Sequence, residues 1–101
     1  MVDYLPVRRL VWDAWNLDHI TKHGVTRDEV AEVFTADPIA VETYKGCLQM
    51  FGPTAANDTL SVVIGPDRKQ AAGTYYVFSA RRAKRKERKR YFQDREGNLD
   101  E

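Results

Sequence analysis

The 101-residue chain carries one cysteine, Cys47, which excludes an internal disulfide and a zinc site of the four-cysteine kind. A reduced, cytoplasmic setting is the expectation for such cysteine usage. No apolar run reaches the ~18–20 residues that a membrane-spanning helix needs, so no membrane role is expected. Met1 to Leu10 includes Asp3, Arg8 and Arg9 and lacks the apolar stretch of a signal peptide. The six glycines stand singly at Gly24, Gly46, Gly52, Gly65, Gly73 and Gly97. No phosphate-cradling glycine loop is formed, and no nucleotide or other cofactor is expected. Pro- or Gly-rich linkers and internal repeats are absent, so residues 1–101 read as one domain with a core over about 7–95 and a frayed tail over 96–101.

Net charge of one sign is also missing: 16 Lys and Arg face 15 Asp and Glu, a balance of +1. The distribution is far from even. Nine basic and two acidic residues fall between Arg81 and Arg95, which makes that segment +7 and the remainder −6. Such asymmetry points to an acidic partner, nucleic acid or acidic protein, against the alternative of a merely solubilising helix face. As an isolated helix the segment is poorly built. Lys84, Arg85 and Lys86 fall at the positive end of the helix dipole, and like charges four apart, Lys84/Arg88 and Arg85/Lys89, repel. Ala83, Tyr91 and Phe92 are the residues able to anchor it to a sheet.

The rest of the chain reads as an α+β domain. Val7 to Trp12 suits a first strand. Asp13 suits the cap of a helix to His23, closed by Gly24. Val25-Thr26-Arg27-Asp28-Glu29-Val30 holds a capping box, Thr26 with Glu29, and a Val25–Val30 staple. It opens a second helix that buries Val30, Val33 and Phe34 and stops by Asp37, before Pro38. Beyond Pro38, the stretches Ile39–Tyr44, Cys47–Phe51, Leu60–Ile64 and Thr74–Ser79 are β-branched and aromatic. Turn residues Lys45-Gly46, Gly52-Pro53, Asn57-Asp58 and Gly65-Pro66-Asp67 separate them, which predicts an antiparallel sheet of about four strands.

Several residues could carry chemistry. His19 and His23 stand four apart, a spacing used for metals, but Ile20-Thr21-Lys22 between them supplies no general base and adds a cation, so no metal is expected. Histidine is the residue type whose ordinary pKa lies near working pH, so His23 suits acid or base work. Cys47 reads as a small strand residue, and Trp12 and Trp15 as core residues, or as base-stacking groups if exposed. Arg81 and Arg82, where the last strand meets the basic helix, can fork onto phosphate oxygens. Metal-free RNA cleavage needs a base, a cation on the developing phosphorane and an acid. Lys22, His23, Arg81, Arg82, Glu87 and Tyr91 include candidates for each role.

Trp12-Asp13, Lys22-His23-Gly24-Val25, Glu29-Val30-x-Glu32-Val33-Phe34, Asp37-Pro38 and Ser79-Ala80-Arg81-Arg82-Ala83, with Arg85-x-Glu87-Arg88 and Tyr91, together resemble the BrnT toxins over residues 10–92. The resemblance implies a RelE-like α+β fold: a strand, two N-terminal helices, the antiparallel sheet and a basic C-terminal helix. It also implies a metal-independent endoribonuclease toxin of a type II toxin–antitoxin module, one that inhibits translation. A BrnA-like ribbon–helix–helix antitoxin would neutralise it, and operator DNA would be reached only through that antitoxin. In that family's terms Lys22, His23, Arg81, Arg82 and Tyr91 are the candidate catalytic residues, and Lys84, Arg85, Arg88 and Lys89 the candidate RNA-binding ones. His19 stands where many members have Asn, and Lys84 where a Thr commonly caps the last helix. The central strands lack the charged residues that members often carry there. The alternative expectation is therefore a catalytically silent module that binds protein or nucleic acid through its basic helix.

Overall fold

The computed structural model describes residues 7–96, with 37, 68 and 70 excepted. Helix α1 (Ala14–Lys22) starts on Asp13, whose carboxylate accepts the Asn16 N–H at 3.0 Å while the Asn16 side chain accepts the Asp13 N–H at 2.8 Å. Asn16 thus supplies the second half of a capping box where Glu or Gln is usual. Its amide nitrogen donates to the Val11 carbonyl, so this fully buried polar residue has partners at both ends of its side chain. Gly24, at φ +73°, closes the helix in the left-handed region. Helix α2 (Arg27–Thr35) opens on the expected reciprocal pair of Thr26 and Glu29, and Val25, Val30 and Val33 are all buried beneath it.

Five strands follow the order β1-β5-β4-β3-β2, with β1 (Arg9–Val11), β2 (Ile39–Glu42), β3 (Leu48–Pro53), β4 (Thr59–Pro66) and β5 (Thr74–Arg82). Four are antiparallel neighbours, as expected. The first strand is shorter than Val7–Trp12 and joins the same sheet, running parallel to β5 through Arg9↔Thr74. A parallel pair has no hairpin turn to announce it, so local pattern could not supply this pairing.

Two of the expected turns belong to the strand ends instead. Gly52-Pro53 ends β3 and Gly65-Pro66 ends β4, both within ladders. The cause is close approach. A Cβ on Gly52 would lie 3.0 Å from Val33 Cγ1 and 3.1 Å from Pro38 Cβ, so the glycine lets helix α2 sit against the sheet. The actual β3–β4 turn is built by Thr54 to Asp58, with Asn57 at φ +69°.

One face of the sheet carries Leu48, Met50, Leu60, Val62, Ile64, Tyr75, Val77 and Ala80, and with Ile20, Val25, Val30 and Val33 these form the core under α1 and α2. Helix α3 (Arg85–Glu96) crosses to the opposite face and contacts β2 and β3. Ala83 and Tyr91 are buried there, as expected of anchors, whereas Phe92 is exposed. The helix continues through Glu96, and the remainder of the expected frayed tail, 97–101, lies outside the described residues.

Candidate nucleic-acid interface

Alternation along a strand sends neighbouring side chains to opposite faces. Arg81 and Arg82 are adjacent on β5, so the structure separates two residues that sequence reading placed on one phosphate. Arg82 is opposite Leu60 in the ladder, on the face that packs α1 and α2. Its guanidinium donates to Glu29 Oε2 at 3.3 Å and to the Gly24 carbonyl at 3.4 Å, and lies 3.4 Å from Asp58 Oδ2. It ties the end of the sheet to the turn between α1 and α2. Glu29 is held below its ordinary range, chiefly by the Thr26 N–H and then by Arg82.

Arg81 is opposite Ser61, on the face shared with α3. Its fork is fully engaged: Nη1 donates to Glu87 Oε1 at 2.8 Å and Nη2 to Oε2 at 2.9 Å. Glu87 occupies the third position of α3 and also accepts the Lys84 N–H at 2.7 Å. This is half a capping box: the acidic partner reaches back, but Lys84 at the cap has no acceptor to complete it. The Arg81 hydrogen bonds lower the Glu87 carboxyl below its usual value, and Glu87 in turn raises the Arg81 guanidinium. Glu87 thereby bridges the basic helix to the sheet.

The basic residues of α3 fan outward. Lys84, Arg85, Lys86, Arg88 and Lys89 are exposed, and Arg88 also donates to the Ala83 carbonyl at 3.2 Å. Tyr91 is only 4% exposed, its ring edge-on to Phe92 at 5.3 Å. That placement is an anchor's.

Lys22 and His23 lie at the end of α1. Lys22 pairs with Asp18 at 3.2 Å on the open surface. His23 is exposed and caps α1 through its backbone N–H. It neighbours Gly24, so Arg82, not Arg81, connects this corner to the sheet. Trp15, 57% exposed, stacks on His19 at 4.9 Å between centroids, and His19 meets His23 edge-on at 5.3 Å. Trp12 is half-buried under the Arg27 guanidinium. Among the described residues no group of three His, Cys, Asp or Glu could hold a metal.

Sequence reading missed the residues that share Arg81's face. Gln49 donates to Ser61 Oγ at 3.0 Å, and Val63 and Ser79 pair in the next row. Only the strand register brings them together, so no local signal could have found them.

The solved structure of the Brucella abortus ribonuclease toxin BrnT superposes on this chain with a TM-score of 0.61. It is 23% identical and matches 76% of this chain and 97% of that one. The fold is BrnT-like. No protein-family model matches the chain, and no curated protein sequence matches it. The BrnT-like architecture is a mixed α+β domain with three helices and a five-stranded sheet.

Proposed function

We propose that this chain is a BrnT-type toxin, a metal-independent endoribonuclease that slows translation and is neutralised by a ribbon–helix–helix antitoxin of BrnA type. The observation that carries the reading is Arg81 at the head of an exposed cationic helix, on a fold like that of a ribonuclease toxin. Lys84, Arg85, Arg88 and Lys89 give RNA a track of positive charge on α3. Arg81 binds the scissile phosphate by exchanging the Glu87 carboxylate for two phosphate oxygens, the same bidentate geometry with a different anion. Lys22 and His23, at the end of α1 on the Arg82 side of the sheet, sit away from a phosphate that Arg81 holds, so they act as RNA contacts at this corner and not as the acid and base at Arg81. Arg82 acts as a positioning residue, holding the Gly24 turn beside His23, and Tyr91 supports α3 from beneath. Operator DNA is reached only through the antitoxin. Among the described residues no helix is long and apolar enough to cross a membrane, and the free thiol of Cys47 suits a reducing cytoplasm.

A second reading has its own support. With Arg81 clamped by Glu87 and Arg82 tied to three acceptors, both forks already hold partners, which favours a silent module that binds through α3 alone. Induced expression in a bacterial host, beside an Arg81→Ala/Arg82→Ala control, separates the two. Growth arrest with RNA decay from the wild type only is the expected result. Equal growth with soluble, folded protein in both cultures would overturn the toxin in favour of the binding module.

A further inference from the structure

The face that carries Arg81 is covered by α3 at its β2–β3 side and presents an aromatic residue where β5 is open. Phe78 is 43% exposed although it lies mid-strand. Its exposure is a product of the ladder. Val63 pairs with Ser79 and Ile64 with Val77, so Phe78 is the extra residue of a β-bulge. Without the bulge, strict alternation would place Phe78 with Ala80 on the core face. With it, Phe78 and Ser79 both turn outward while Val77 and Ala80 stay buried. Bulges commonly re-aim a side chain in this way beside functional sites.

The ring is also held still. A Cβ on Gly65 would lie 2.5 Å from Phe78 Cε2 and 3.4 Å from Cδ2, so only glycine lets the ring edge rest on β4. Tyr76 meets it edge-on at 5.2 Å, and the Tyr76 hydroxyl donates to both carboxylate oxygens of Asp13 at 2.9 and 3.0 Å. Beside the ring, Pro66, Asp67, Lys69, Tyr76 and Phe78 line an open depression of about 450 Å³. Asp67 is engaged with the Lys69 N–H at 3.2 Å, and the Lys69 ammonium faces solvent. Arg81 stands three residues further along β5, roughly 10 Å away at the usual strand rise.

We infer that Phe78 is a stacking platform for an unpaired nucleobase of single-stranded RNA, set so that the RNA backbone runs on toward Arg81 and α3. An exposed aromatic packed on an open sheet is the physical arrangement on which unpaired bases stack. Beside the ring the carboxylates of Asp13 and Asp67 outnumber the Lys69 ammonium and Arg81 is paired with Glu87, so the choice of a polyanion over an apolar protein segment rests on the exposed basic residues of α3 on the same face. This inference rests on the RNA-binding part of the proposed function and not on cleavage.

The test is binding of a fluorescein-labelled oligouridylate, 2′-O-methylated so that it cannot be cut, against the same oligomer with its central bases removed. Wild type should prefer the base-bearing oligomer roughly 10-fold. Phe78→Leu, which keeps apolar bulk over Gly65 but has no π-face, should lose that preference while binding the base-free oligomer as wild type does. Phe78→Trp should retain it. Equal binding of both oligomers by wild type, or a preference that survives in Phe78→Leu, overturns the platform and points to a protein partner for the patch. Preferential binding without any cleavage of unmodified RNA leaves the platform standing and refutes only the nuclease. No binding of either oligomer refutes both.

Discussion

Glu87→Gln removes the negative charge that holds Arg81 while keeping an oxygen for the Lys84 N–H. The two bonds at stake are 2.8 and 2.9 Å long, and the side chains retain 31% and 19% of their surface. That burial exceeds what is typical of surface pairs, which contribute about 0–1 kcal/mol. It falls well short of the full burial at which breaking a pair costs about 3–5 kcal/mol. Hydrogen bonds to charged groups are worth about 1.5–3 kcal/mol, and residual screening puts the coupling at the low end, near 1.5 kcal/mol. For a domain of this size that corresponds to a fall in Tm of about 6–12 °C. A double-mutant cycle of Arg81→Met and Glu87→Gln, followed by thermal unfolding at pH 7, isolates the term. The same cycle run in acid supplies the control. The folded Glu87 carboxyl is depressed below its usual value of 4.5, so its contribution is complete above that pH. It is lost as pH falls through the folded value. Coupling below about 0.5 kcal/mol at neutral pH, or coupling unchanged after Glu87 is protonated, would refute the bridge as a structural element.

Three further outcomes are expected. Gly24→Ala should cost about 1–2 kcal/mol, all of it backbone strain at φ +73°, since a Cβ there meets nothing within 4 Å; chemical denaturation measures it. Leu60→Ala, at a fully buried site in the central strand β4, should cost about 2–5 kcal/mol, with no change in the slope of the denaturant transition. Tyr76→Phe should raise the Asp13 carboxyl toward its ordinary value without reaching it. The Asn16 N–H, the larger cause of its depression, remains, and carboxyl-carbon NMR titration follows the shift.

The helices were legible because their signals are local. Asp13, Thr26 and Glu29 act on backbone groups within one turn, Gly24 closes α1 where it stands, and α2 ends at Thr35, ahead of Pro38. The sheet was legible in its strands but not in its pairing. Gly52 and Gly65 read as turn punctuation, yet each serves a neighbour far away in sequence, Val33 in one case and Phe78 in the other. The site shows the same division. Its residue types could be named from the sequence, and the Arg81–Arg82 pair was evident. Their opposite directions follow from strand alternation once both residues belong to β5, which continues three residues beyond the predicted end at Ser79. Glu87's grip on Arg81 depends on how α3 returns over the sheet, and the exposure of Phe78 on a one-residue bulge. Neither leaves a trace in local pattern.

The central claim is cleavage of RNA at Arg81 without a metal. Purified wild type and Arg81→Ala, incubated with end-labelled single-stranded RNA in excess chelator, test it most directly. The account predicts that wild type cuts the RNA and leaves 2′,3′-cyclic phosphate ends, while Arg81→Ala leaves it intact. Intact RNA with folded wild type at every concentration, or cutting by Arg81→Ala at the wild-type rate, would contradict it.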